Sequence, residues 1–183
     1  MNQTDSNINT HKNDSFMRRL LISLVVLMVC TLSGAQMAKY QSLYLFQFAK
    51  NTSWPIEDNG KDFVITVIGD NSLASELKSI VSNKKLGNRS ITVLESAKPT
   101  GLTKSDIVYL GESKSSQISS LINAQKGNKV LIVSGSKGQC AQGAGISFLQ
   151  DGATLKFEIS ESNIGKFGLK VTPKLVSLGT AVF

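Results

Sequence analysis

Few side chains in this chain can do chemistry, and their placement limits what they can do. The only histidine is His11, and the only cysteines are Cys30 and Cys140. His11 and Cys30 lie in a stretch that reads as an export leader, which leaves Cys140 as the one thiol of the remaining chain. A Cys–His dyad or a Ser–His–Asp set then lacks its imidazole base. Zinc needs three or four His, Cys or carboxylate ligands, and one thiol with scattered acids does not supply them, so neither a metal nor a cofactor is expected. The glycine-rich stretch from Gly135 to Gly145 suggests a phosphate cradle. However, Lys137 is followed by Gly138, and a strand rather than a helix comes next, so a turn-rich loop is expected. Asp70 ends a β-branched run, which is where α/β sheets bind ligands; it is better suited, however, to a turn that caps the next helix. With no activated nucleophile or base in view, the chain is read as a non-enzyme.

The leader reading rests on the first 35 residues. A polar stretch leads to Arg18-Arg19, then to the apolar run Leu20–Leu32 and to Ser33-Gly34-Ala35, with small residues placed for a cut before Gln36. The run is 13 residues long, against the roughly 20 that a spanning helix needs, so cleavage is expected. An uncleaved inner-membrane anchor is the alternative. Val29 before Cys30 argues against a lipoprotein signal. Either outcome puts residues 36–183 outside the cytoplasm. The chain carries 20 Lys+Arg and 13 Asp+Glu. The leader holds three of the former and two of the latter, so 36–183 keeps 17 against 11, a net +6. The lysines are spread along the chain with no basic, aromatic-laced face, so no nucleic-acid partner is expected. A lone thiol forms no internal disulfide; Cys140 is expected to be buried and inert, and the domain must stand on its hydrophobic core.

The elements that position these residues can be read from periodicity. Tyr40, Leu43, Tyr44 and Phe48, with Met37 and Leu45, recur at helical spacing over 36–51, ahead of Trp54-Pro55. Strands are expected at 62–68, 90–94, 106–110 and 129–133. Helices are expected at 73–81, behind an Asn71-Ser72 cap, and at 115–125, with residues 83–88 as a turn. That alternation predicts an α/β fold with a largely parallel central sheet flanked by helices. Residues 146–149 and 154–159 flank Gln150-Asp151-Gly152, a strong hairpin signal, so a C-terminal antiparallel hairpin is expected to finish the sheet. Short helices are expected at 161–167 and 173–178, the second with Pro173 in its first turn behind Thr172.

Three segments then read together: Leu43-Tyr44-Leu45-Phe46-Gln47-Phe48-Ala49 with Trp54-Pro55; the strand ending Val67-Ile68-Gly69-Asp70; and the tail through Val130–Ser134, Gly143–Phe148, Leu155–Ile159 and Gly168–Leu175. In order and spacing this resembles the YfiR-like family of periplasmic proteins across essentially all of 36–183. Ser160 and Ser53 depart from the family pattern, as does the lack of an internal disulfide. The resemblance implies regulation: binding the periplasmic domain of an inner-membrane signalling protein such as a diguanylate cyclase, with an outer-membrane-linked protein that sequesters the repressor, and so control of cyclic di-GMP and biofilm formation. A second protomer, in a homodimer, is a further expected partner if Phe46 or Phe48 faces solvent. The alternative is a small-molecule-binding accessory protein for a sensor kinase or an outer-membrane transporter. Trp54, Phe46, Phe48 and Asp70 are the candidate partner- or ligand-binding residues. Trp54 is the only tryptophan, and it suits either a core anchor or a contact hot spot.

Overall fold

The computed structural model describes residues 34, 36–54, 61–102, 104–152 and 154–181. The chain divides into two compact units, 1–37 and 38–183, and the description below concerns the second. The apolar run 20–32 and Pro55 lie outside the described residues.

Helix α1 ends at residue 50 and contributes residues 38–50 to this unit. After β1 (Thr52–Ser53) come β2 (Phe63–Ile68), α2 (Asn71–Val81), β3 (Lys85–Leu86), β4 (Arg89–Ser96) and β5 (Ile107–Leu110). A 3-10 turn (Glu112–Gln117) leads into α3 (Ile118–Ala124), then β6 (Leu131–Ser134) and a second 3-10 turn (Gln139–Gln142). The chain ends with β7 (Ile146–Asp151), β8 (Thr154–Ile159), α4 (Glu161–Lys166), β9 (Lys170–Val171), α5 (Pro173–Leu178) and β10 (Thr180–Ala181).

Eight strands form the central sheet in the order β10-β8-β7-β6-β5-β2-β4-β3. β4, β2, β5, β6 and β7 are parallel neighbours, as the strand–helix alternation predicts. β2 is buried at five of its six positions, which is why its sequence is a continuous apolar run rather than an alternating one. β7 and β8 form the expected antiparallel hairpin, closing from Asp151↔Thr154. The hairpin does not end the sheet, however. β10 returns after α5 and pairs with β8 in parallel, Thr180↔Glu158. A separate two-stranded sheet ties β1 to β9, Thr52↔Val171.

Side chains alternate across the sheet and so define two cores. On one face α3 packs Ile118 and Leu121 against Ile68, Val108, Leu110 and Ile132. On the other, α1 lays Tyr44 and Phe48 across Phe148 and Phe157, with ring centroids 5.0–6.0 Å apart. Tyr109, between Val108 and Leu110, points to this second face, where its ring lies 6.3 Å from Phe148.

Three local expectations are corrected. α2 starts at Asn71, and its cap is Asp70, whose Oδ1 accepts the Leu73 N–H at 2.9 Å; Asn71 and Ser72 lie inside the helix. The helix expected over 115–125 is α-helical only from Ile118, because 112–117 has no apolar residue to bury and winds as a 3-10 turn. The expected turn over 83–88 contains β3, which pairs with β4 across Gly87 at φ +59°.

Candidate functional site

The order β4-β2-β5 puts the sheet's topological switch point between the carboxyl ends of β2 and β5, where open α/β sheets hold ligands. Here the protein occupies that crevice itself. Ser113 Oγ donates to Gly69 O at 3.0 Å, and the Gly111 N–H donates to Ile68 O at 2.8 Å. A Cβ on Gly69 would lie 2.5 Å from Lys114 Cγ, so the 3-10 turn sits directly on the end of β2. The Tyr109 hydroxyl faces the Asp70 carboxylate and the Gln41 amide. A side chain at Gly135 would collide with that hydroxyl. Burial raises the Tyr109 pKa well above its ordinary value, and the charges of Asp70 and Glu112 add to the effect. Asp70 therefore caps α2 with a carboxylate that also acts on Tyr109 at the end of β5.

Trp54 lies at the opposite edge. Its indole N–H donates to Ala49 O at 2.7 Å, and its ring meets Phe63 edge-on at 4.8 Å. Phe63 in turn lies under the Arg89 guanidinium, 4.9 Å away, and Arg89 pairs with Asp106 at 2.7 Å. Asp106 also accepts the Val64 N–H at 2.8 Å. Trp54 thus packs at the first residue of β2, while Asp70 lies beyond its last. A strand of that length separates them by roughly 20 Å, so no single pocket is lined by both.

The glycine-rich loop is likewise spent internally. The Gly138 N–H donates to Glu158 Oε2 at 2.9 Å. Cys140 is buried; it accepts from Ser147 Oγ at 3.3 Å and lies 3.7–3.8 Å from the Glu158 and Gly145 carbonyls. Burial pushes its thiol up to about 11, and the Glu158 charge acts the same way. Among the described residues no group of three His, Cys, Asp or Glu side chains could hold a metal.

What the fold leaves available is the outer face of α1. Its inner face is a stripe of small and apolar residues, with Ala38, Ser42, Leu45, Phe48 and Ala49 all buried. Ser42 Oγ donates to Leu73 O at 3.3 Å, so the helix sits close against α2. Tyr40 and Leu43, which periodicity groups with the buried face, instead stand 41% and 39% exposed. Phe46 is half-buried beside them, with Lys84 Nζ 4.9 Å and Lys50 Nζ 5.7 Å from its ring centroid. Of the two phenylalanines named from sequence, Phe48 belongs to the core at 0% exposure and Phe46 to the surface. The small residues were the readable signal for α1: Ala38, Ser42 and Ala49 mark the side that can approach a neighbour closely. A concavity of about 440 Å³ lies between α4 and β9, lined by Glu161, Ile164, Leu169 and Lys170 among others.

A family model described as YfiR/HmsC-like matches residues 38–180, nearly the whole of the second unit. No curated protein matches the chain.

Proposed function

The chain belongs to the YfiR/HmsC-like family, and from that membership we propose that it is an exported regulatory protein that binds the periplasmic domain of an inner-membrane signalling protein, in its sharpest form a diguanylate cyclase, through the outer face of α1. The observation that carries this reading is the pair Tyr40 and Leu43, two large apolar side chains about two-fifths exposed on a helix whose opposite side is fully packed. Exposed apolar groups rimmed by charge are the composition of a docking surface, and Lys39, Lys50 and Lys84 supply the rim. Phe48 and Trp54 hold the helix from beneath and at its end, and Asp70 caps α2, on which the helix rests through Ser42 and Leu73. Residues 1–35 act as the leader that delivers residues 36–183 to the periplasm.

The test is site-specific crosslinking in the producing cell. A photoreactive side chain at Leu43 should yield an adduct with an inner-membrane cyclase or a related signalling protein. The same group at exposed Lys126, behind α3, should not. Adducts confined to proteins outside signalling, or equal capture from both sites, would refute the reading. The concavity between α4 and β9 favours a second reading, a small-molecule-binding accessory protein for a sensor kinase or transporter.

A further inference from the structure

The last helix lies alongside the face assigned to docking. At its start, the Thr172 N–H donates to Asn51 O at 2.9 Å and the Thr172 Oγ1 donates to Asn51 Oδ1 at 3.2 Å, which fixes α5 to the end of α1. At its far end Gly179 rests on Phe157, where a Cβ would lie 2.5 Å from Phe157 Cε2. The Phe157 ring is in turn 5.6 Å from that of Tyr44. Asn51 follows Tyr44 by two helical turns, about 10 Å, and the six residues of α5 span about 9 Å. So α5 runs antiparallel beside the second half of α1 and ends at the turn that carries Tyr40, Leu43 and Tyr44.

Leu178 closes α5 and stands 66% exposed. Lys174, one turn earlier on the same face, is also exposed, while Leu175 is buried. Tyr40, Leu43 and Leu178 are the large apolar side chains left exposed among the described residues, and all three belong to these two helices. The charge is equally one-sided. Residues 36–54 hold Lys39 and Lys50 and no acid, and residues 162–181 hold Lys166, Lys170 and Lys174 and no acid.

We propose that α1 and α5 form one docking surface, with Leu178 as its third apolar contact, and that it receives an apolar patch rimmed by Asp and Glu on the partner's periplasmic domain. The inference rests on the reading of α1 given above and adds an element and a charge to it. Charge complementarity selects the rim, because a basic partner would set like charges against both helices. An anionic lipid leaflet has the same sign of charge, but Tyr40 and Leu43 are each about three-fifths covered by the fold. Insertion among acyl chains needs apolar side chains that project freely, whereas partly covered ones suit a protein surface of complementary shape.

Photocrosslinking in the producing cell tests the added element. A photoreactive side chain at Leu178 should capture the same inner-membrane signalling protein as one at Leu43. Capture at Leu43 with none, or a different protein, at Leu178 would overturn the shared surface and leave the α1 reading standing. Capture at neither would remove both. The charge is tested on the captured partner, solubilised whole in detergent. Lys174→Glu should weaken its binding about tenfold, and Lys126→Glu, behind α3, less than about twofold. If melting shows Lys174→Glu poorly folded, Lys50→Glu makes the same comparison from the α1 side. Equal weakening at both sites, or none at either, would overturn the acidic rim. Phosphatidylcholine vesicles containing phosphatidylglycerol test the lipid. Sedimentation of the protein with them that Leu178→Glu abolishes would put a leaflet in the partner's place and overturn the proposal.

Discussion

Arg89 and Asp106 form an ion pair at 2.7 Å whose side chains are 7% and 6% exposed, at the amino-terminal edge of the sheet. Arg89 also donates to Lys61 O at 3.0 Å and Asp62 O at 2.8 Å, so it stitches the start of β4 to the segment entering β2. Breaking a buried pair from one side strands a charge. Asp106→Ala should therefore destabilise the domain by about 3–5 kcal/mol, whereas a joint Arg89→Met/Asp106→Leu replacement should recover most of that loss. Chemical denaturation followed by the fluorescence of Trp54, the only tryptophan, reads this edge directly through Phe63. Equal losses for the single and double variants would contradict the account.

A second prediction concerns Tyr109. Its folded pKa is raised, chiefly by burial, so the folded state keeps the phenolic proton after the unfolded state, with its ordinary value near 10, has begun to lose it. The contribution to stability is full below about pH 10 and shrinks as pH rises above it. Ultraviolet titration should show one phenol that ionises only when the fold gives way. Tyr109→Phe should abolish that step and part of the alkaline loss of stability. At neutral pH it should cost about 1 kcal/mol, because the buried hydroxyl that faces Asp70 and Gln41 is removed. A phenol count that reaches its full value before unfolding would count against it.

Much of this fold could be read from the sequence, and what could not has physical reasons. The apolar run of β2, the Asp-Gly hairpin between β7 and β8, and Pro173 behind the Thr172 cap, whose Oγ1 accepts the Leu175 N–H, are local signals, and local signals survive. β1, β9 and β10 are two-residue strands created by tertiary pairing, so their sequences carry no pattern of their own. Asp70 was legible as a cap or a ligand residue, but its action on Tyr109 joins positions 39 residues apart. On α1 the apolar residues run nearly all the way round, so periodicity alone could not assign Tyr40 and Leu43 to solvent. The Arg89–Asp106 pair carries no local signal, because one charge of each sign, 17 residues apart, has no sequence signature.

Cys140 gives a third prediction. A thiol held near 11 is about one part in a thousand thiolate at pH 8, against roughly a quarter for an ordinary cysteine. Its alkylation by iodoacetamide in the native protein should be slower by about two orders of magnitude than after unfolding in urea. Peptide mapping that isolates Cys140 from Cys30 provides the measurement. Rapid native labelling at Cys140 would show that the loop 135–145 opens readily, against its Glu158 anchor.

The outer face of α1 gives the last prediction, and it separates binding from folding. Leu43 is about two-fifths exposed on the outer face, so in Leu43→Glu the carboxylate can turn to water and the change should cost about 1 kcal/mol of stability, well below a core truncation. At a docking surface the same change places a carboxylate against an apolar partner surface, and truncations at such centres typically cost 2 kcal/mol or more of binding. Phe48→Ala, by contrast, empties a site in the aromatic cluster and should cost about 3–5 kcal/mol of folding stability. Thermal melting and membrane co-purification should therefore respond in opposite patterns. Leu43→Glu should melt close to the unaltered protein and lose its partner; Phe48→Ala should melt early, and whatever remains folded should still bind. If Leu43→Glu melts normally and still co-purifies with its membrane partner, the surface lies elsewhere, and the concavity between α4 and β9 becomes the next site to test.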